Sequence, residues 1–299
     1  MFSTIGSAFD ARKYVSRIEK IQFGGLRTAM YENYQELATK VRAHCLRMTH
    51  LGKCGHIGSM LSAADIMAVL YERVLNVDPK NPRKEDRDRF LLSKGHAGAV
   101  VYATLAEKGF FPQEWLDTYY QDNGKLMGHI SHFVPGVEFS TGSLGHGLPV
   151  AVGMALAAKE KGQKHKIICL MSDGDCNEGS TWEAIMFAGQ HHLDNLTAIV
   201  DYNRIQALGF SKDIIDLGDF CPRIAPFGWE TRSVDGHQYG QLEEVLTSLP
   251  LALGKPSFIL ACTIKGKGVS FLENTVASHY HSVTEEELRR AYEELGVIV

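Results

Sequence analysis

Cysteine is scarce in this 299-residue chain. The six that occur (Cys45, Cys54, Cys169, Cys176, Cys221 and Cys262) form no Cys-x-x-Cys pair and show no zinc-ligand spacing. That excludes a cysteine-built metal site and points to a reducing, cytoplasmic setting. Cys169 lies inside an apolar run and is expected to be plain core. Basic runs are also missing. The formal net charge is −4, which argues against general nucleic-acid binding. No apolar stretch approaches the ~20 residues that a membrane span needs. The opening segment, MFSTIGSAFDARKYV, has no apolar signal core. There is no internal repeat and no low-complexity segment. Hydrophobic residues make up 44% of the chain, enough core for one large α/β domain or two small ones.

What is there centres on the stretch from Lys166 to Gln206. Ile167 to Met171 reads as a buried strand, and Leu196 to Val200 reads as a second. Thr181 to His191 between them reads as a helix. Strand, helix and strand at this length make one βαβ unit with a right-handed crossover. The strands are then parallel, so Asp173 and Asn203 both fall at strand carboxyl ends. Neighbouring strands lie about 4.8 Å apart, close enough for a carboxylate and an amide oxygen to share one hard cation. Magnesium takes oxygen ligands and shares them with substrate phosphates. Ligands of such sheets bind in the crevice at these carboxyl ends.

Around this centre the chain alternates strands and helices from about residue 90 to 263. That pattern predicts a doubly wound, mostly parallel sheet with helices on both faces. Residues 1–26 are weakly patterned and are expected to form an arm or short helix. Leu37, Val41, Cys45 and Met48 recur at helical spacing within 27–51. Ser62 followed by Asp65 signals a helix start, with the helix running to about Leu75. Phe90 to Leu92 reads as a strand, Ala97 to Lys108 as a helix, and Pro112 to Tyr120 as another. Gly142, Gly145 and Gly147 form a loop able to bring backbone amides close to an anion. Pro149 suits the first turn of the helix that follows. In that helix Ala151, Gly153, Ala155, Ala157 and Ala158 allow close packing on a sheet. Gln241 to Leu249 reads as a helix and Ser257 to Thr263 as a strand. Thr284 and Glu287 form a capping box for a last helix, Glu285 to Leu295.

The spacing Asp173-Gly174, Glu178-Gly179 and Asn203 resembles the thiamine-diphosphate motif of the transketolase family. Ser172 stands where the family has its first glycine, and fits if its backbone angle is negative. The resemblance covers roughly residues 27–295 and implies a diphosphate-binding domain over 27–299. It implies magnesium ligands at Asp173, Asn203 and the Ile205 carbonyl. It also implies cofactor contacts at His96, Gly142, Leu144, Gly174, Glu178 and Asn203. His56, His96, His129 and His279 would face the substrate, binding hydroxyls and shuttling protons. His281, two residues on, is the alternative to His279. The Lys265-Gly266-Lys267-Gly268 turn reads as a surface loop or as the family's last turn before that histidine. Glu178 and Glu183 are either surface carboxylates or interface residues linking two sites.

The resemblance further implies one subunit of a split transketolase, since no second α/β domain supplies the glutamate that activates the cofactor. Its partner would be a C-terminal subunit carrying the pyrimidine-binding domain, in an assembly with two copies of each. The activity would move a two-carbon ketol unit from a phosphorylated, or similarly anionic, ketose to an aldose. Another thiamine-diphosphate enzyme remains open here, either a 2-oxoacid dehydrogenase alpha subunit or a deoxyxylulose-phosphate synthase-like protein. So does a non-catalytic cofactor-binding subunit.

Overall fold

The computed structural model describes residues 11–297, with side chains from residue 29 onward. Five strands among these residues form one sheet in the order β1-β2-β3-β5-β4. They are β1 Arg89–Leu92, β2 Ile167–Ser172, β3 Leu196–Tyr202, β4 Glu230–Asp235 and β5 Ser257–Cys262. Every pairing is parallel. The register sets Ser172 opposite Asp201, Asp201 opposite Ala261, and Asp235 opposite Cys262, so the carboxyl ends of the four strands form one rim.

Strand side chains alternate faces, and the core divides accordingly. Phe90, Leu92, Ile168, Leu170, Ile199, Ile259 and Ala261 belong to one apolar cluster. Leu91, Ile167, Cys169, Met171, Ala198, Val200, Phe258 and Leu260 belong to the other. The first cluster is covered by α1 Ala11–Gly52, α2 Ile57–Val69, α3 Gly98–Glu107, α7 Tyr239–Thr247 and α8 Glu285–Leu295. The second is covered by α4 Gly147–Glu160, α5 Gly179–Gln190 and α6 Phe220–Ile224. This is the doubly wound α/β sheet with helices on both faces that the alternation predicts. Cys169 is wholly buried, as expected of core. Leu37, Val41, Cys45 and Met48 form the buried stripe of α1. The expected boundary between residues 26 and 27 falls inside α1 rather than at an element's end. Residues 1–10, part of the expected arm, lie outside the described residues.

Several sequence expectations give way to tertiary contacts. The second helix begins at Ile57, not Ser62. His56 caps it in the left-handed region at φ 73°, with its amide donating to the His279 carbonyl. Ser62 and Asp65, which have the pattern of a capping signal, instead sit inside the helix. Their side chains bond to Asp201 and Arg42. The helix ends in a π-helical turn, Leu70–Val74, closed by the Leu75 amide on the Leu70 carbonyl. The segment after Pro112 is a 3-10 turn, Gln113–Thr118, rather than an α-helix. Its aromatic anchor, Trp115, stacks on Phe111 at 5.3 Å. In α4, Ala151, Ala155 and Ala158 meet the sheet as predicted, but Gly153 and Ala157 are exposed on the opposite stripe. The capping box at Thr284 and Glu287 is present. No described helix is long and apolar enough to cross a membrane.

Candidate active site

The rim of strand ends carries a cavity of about 320 Å³. His56, His96, His129, His279, Leu144, Asp173, Gly174, Asn203 and Ile205 all line it. Nine of the residues singled out from sequence are therefore brought together. They come from the loops before α2 and α3, the glycine loop before α4, the ends of β2 and β3, and the loop after β5.

Asp173 follows β2 directly and is 3% exposed. Its carboxylate accepts from the Gly174 amide at 3.0 Å and from the Ser211 hydroxyl. Burial raises its pKa. Other buried carboxylates are better served. Asp65, Asp88 and Asp201 each have a cationic partner. Asp175 accepts from Ser93, from the Gly145 amide, and from both the amide and the hydroxyl of Ser172. Among the described residues Asp173 has no ion-pair partner. A desolvated carboxylate left this way is costly unless a cation joins it.

Asn203 lies one residue beyond β3. Its amide nitrogen donates to the Ser62 hydroxyl at 3.3 Å, and its oxygen accepts from the Ile205 amide at 3.2 Å. Arg204, at φ 67°, makes the turn between them. The Ile205 carbonyl accepts from the Lys265 ammonium at 2.9 Å. Ser172 is absent from the positive-φ residues, so serine fits where the family has glycine. Its hydroxyl ties down Asp175, which in turn holds the Gly145 amide at 2.8 Å.

Above this floor the imidazoles cluster. The ring of His56 lies 5.0 Å from His96, 5.9 Å from His129 and 5.1 Å from His279. Burial, then the neighbouring His129 and Lys265, pushes His56 down to about 4. Burial, then Lys265, pushes His279 down to about 3. Burial and the neighbouring His56 and Lys94 push His96 well below its ordinary value. These three rings are thus neutral at pH 7 in the free chain. They are hydrogen-bonding groups there, not the near-neutral titrating groups that unperturbed histidines suggest. Lys265 donates to His279 Nδ1 at 2.9 Å, which leaves the ring proton on Nε2.

The choice between His279 and His281 is a matter of position. His279 lines the cavity, whereas His281 bonds Glu287 at 3.0 Å, outside it. Glu178 is the exposed N-cap of α5, and Glu183 is exposed on the same helix. Gly142 is exposed, and a Cβ built there would stand 3.7 Å from His129. The amides of Gly145 and Gly147 are not free for an anion, because Asp175 and Ser93 hold them.

Sequence reading missed the charged layer beneath the cavity. Lys94 and Asp201 form an ion pair with both side chains fully buried. Asp201 also accepts from Ser62 and Thr263. Lys265, in the turn that reads as a possible surface loop, is likewise fully buried. Burial lowers its pKa to about 8. The local signal was slight, Lys94 next to Gly95-His96 and Lys265 next to Gly266, and helical or strand periodicity says nothing about buried cations. Among the described residues there is no group of three or more His, Cys, Asp or Glu side chains arranged for a metal. Asp173, Asn203 and the Ile205 carbonyl form a donor set of another kind, with a single carboxylate.

Comparison with known proteins agrees with this geometry. The family described as "Transketolase, thiamine diphosphate binding domain" matches residues 33–298. An apulose-4-phosphate transketolase subunit of Actinobacillus succinogenes is 42% identical over 268 residues, covering 88% of this chain and 97% of that protein. A 6-deoxy-6-sulfo-D-fructose transketolase subunit from Clostridium is 43% identical over 253 residues, covering 84% and 92%. Among solved structures, transketolase from Campylobacter jejuni superposes with a TM-score of 0.85 at 35% identity, covering 89% of this chain and 43% of that one. The chain therefore spans less than half the length of that solved enzyme.

Proposed function

Because the chain belongs to the transketolase family, we propose that it is the diphosphate-binding subunit of a split, cytoplasmic transketolase of carbohydrate metabolism. Its cofactor domain takes up the chain from residue 27 onward, entered through the continuous helix α1. The assembled enzyme moves a two-carbon ketol unit from a phosphorylated or similarly anionic ketose to an aldose. The observation that carries this reading is the Asp173 carboxylate, buried with no ion-pair partner among the described residues and grouped with Asn203 and Ile205 below four imidazoles. The relatives named as transketolase subunits support it, since they are matched over more than nine-tenths of their length.

The donor set suits thiamine diphosphate with magnesium. Asp173, Asn203 and the Ile205 carbonyl offer the hard oxygens that magnesium takes, with phosphate oxygens completing its shell. Lys265, Gly174 and His96 would face the diphosphate, and Leu144 the ring system. Glu178 and Gly142 stand at the exposed side, toward a neighbouring chain. When bound, the cofactor supplies the nucleophilic carbon and the electron sink for carbon–carbon cleavage. This chain's residues bind, orient and exclude water. Neutral His56 and His279, together with His129, hydrogen-bond substrate hydroxyls, and His279 Nε2 carries a proton it can give up or share. His96 lies between cofactor and substrate.

The partner is a C-terminal subunit carrying the pyrimidine-binding domain, in a two-plus-two assembly. The exposed side of α5, with Glu183, Met186 and Phe187, and the exposed Gly153 and Ala157 of α4 give that assembly its contact face. The test is to assay ketol transfer by the chain alone, with the second subunit, and with sugar phosphate or pyruvate as donor. Activity is expected only in the mixture and only with the sugar. Full activity of the chain alone would overturn the split-enzyme reading, and turnover of pyruvate would overturn the substrate class.

A further inference from the structure

Behind the cavity floor lies a second buried cluster that the proposed function does not use. Asp65 on α2 is 3% exposed and accepts from four donor atoms. Arg42 on α1 reaches it through Nη1 at 3.1 Å and Nη2 at 2.6 Å. The Tyr239 hydroxyl donates at 2.8 Å and His237 Nδ1 at 2.7 Å. The far nitrogen of the same ring, His237 Nε2, accepts from the backbone amide of Ile264 at 2.8 Å. One ring nitrogen accepting from an amide requires the proton to sit on the other. His237 is therefore a neutral bridge with a defined tautomer and two different partners.

The place of that bridge matters. As the chain leaves β5, the Cys262 carbonyl accepts from the Gly236 amide at 2.8 Å, and the Thr263 amide donates to the Tyr202 carbonyl at 3.1 Å. β4 has ended at Asp235, so no strand remains to receive the Ile264 amide. His237 supplies the missing acceptor and extends the ladder by one step. Two residues on, the Gly266 amide donates to the Gly58 carbonyl at 3.0 Å. Lys265 is pinned between these two fixed points. Its ammonium then reaches both the Ile205 carbonyl and His279 Nδ1, each at 2.9 Å. A hydrogen-bonded network satisfied in this way is rigid.

We propose that His237, gripped by Asp65, is a positioning residue that sets where Lys265 places its ammonium, and so shapes both the diphosphate end of the site and His279. The inference rests on the proposed function for its consequence, but its geometry stands without any ligand.

The test uses the full chain, its variants His237→Ala and His237→Gln, and two readouts. The first is amine labelling followed by mass spectrometry, with the equally buried Lys94 as internal control. In His237→Ala, Lys265 should label about ten-fold faster, the scale of one lost hydrogen bond, while Lys94 stays slow. Glutamine has an amide oxygen for Ile264 and an amide nitrogen for Asp65, so His237→Gln should restore slow labelling. Equal acceleration of Lys265 and Lys94 would mean general loosening, and no change would mean that His237 does not hold the turn. Either result overturns the proposal. The second readout is calorimetry with magnesium pyrophosphate on the chain with its partner subunit. His237→Ala should bind about ten-fold more weakly and His237→Gln within a few-fold of the parent. Parent-like binding by His237→Ala overturns the positioning role. No binding by the parent defeats the cofactor reading instead, and the labelling result still decides the geometry.

Discussion

The two ends of the one sheet handle buried charge in opposite ways. At the amino end, Asp88 is 3% exposed, yet its needs are met by the chain itself. The amides of Asn76 and Lys166 donate to its oxygens at 2.9 and 2.7 Å, and the Lys166 ammonium lies 3.2 Å away with a third of its side chain in water. At the carboxyl end, Lys94 and Asp201 pair in complete burial, while Asp173 has no ion-pair partner among the described residues, Lys265 acting on it only from further off. Three neutral imidazoles crowd above it. The amino end is finished by folding. The carboxyl end leaves Asp173 without a direct ion-pair partner among the described residues, a cost that a bound cation would lower.

The largest test of this contrast is Asp173→Asn. Burial raises the Asp173 pKa, so the folded chain holds that proton more tightly than the unfolded chain does. Its charged form therefore costs stability at neutral pH, and asparagine removes that cost. The ligand-free variant should melt no lower than the parent. Magnesium-dependent thiamine diphosphate binding should fall by roughly 3 kcal/mol or more, the scale of a buried charge losing its partner. Calorimetry and thermal melts measure both, and a lower melting point with intact binding would show the contrast to be wrong.

Next in size are the imidazoles. His96→Ala should lower turnover of the assembled enzyme most, on the order of 10²- to 10³-fold, the scale of one positioned hydrogen-bonding group lost. His56→Ala and His279→Ala should reduce it less, with cofactor affinity nearly intact. Steady-state kinetics of the series decides, and unchanged turnover in all three would remove the site assignment. At the other end, Asp88→Ala should cost about 1–3 kcal/mol of stability, because the amides of Asn76 and Lys166 lose their acceptor. Cofactor binding should not change, and any coupled loss of affinity would mean that the two ends are not separable.

A smaller effect is the pH response. Burial holds His56 down at about 4 and His279 at about 3 in the folded chain, against about 6.5 when unfolded. A depressed histidine pKa leaves stability intact above about 6.5 and lost progressively as pH falls toward the folded value. Their ring resonances should stay nearly fixed from pH 8 to 5 in nuclear magnetic resonance titrations of the free chain. A midpoint near neutrality would contradict their burial. The smallest effect belongs to His281→Ala. Its partly exposed contact with Glu287 is worth less than about 1 kcal/mol, and turnover should be unaltered.

Legibility followed the physics of each signal. The alternation of apolar runs revealed the doubly wound sheet, because the inner strands β2, β3 and β5 are buried on both faces; the edge strand β4 is half-exposed and has no such run. The Asp173 to Asn203 spacing located the strand ends, since a βαβ crossover has few geometries. Helix starts were less legible. Ser62 and Asp65 have the chemistry of a cap, but in α2 that chemistry is spent on Asp201 and Arg42, from distant parts of the chain. The glycine loop misled in the same manner, as two of its amides are held by Asp175 and Ser93.

By itself, then, the amino-acid sequence determined the sheet, its two helical layers and the histidine-bearing loops, all of which rest on short-range periodicity and turn chemistry. Only the tertiary structure decided which charges are buried and which are paired. Lys265 lies in a Lys-Gly-Lys-Gly turn that reads as a surface loop or as a turn beside the site, and it is enclosed because Gly58 leaves room for its stem. His237 has no local pattern that marks a role, yet it bridges Asp65 and Ile264. Desolvation and ion pairing depend on neighbours far along the chain, 172 residues apart for His237 and Asp65, and no local pattern encodes them.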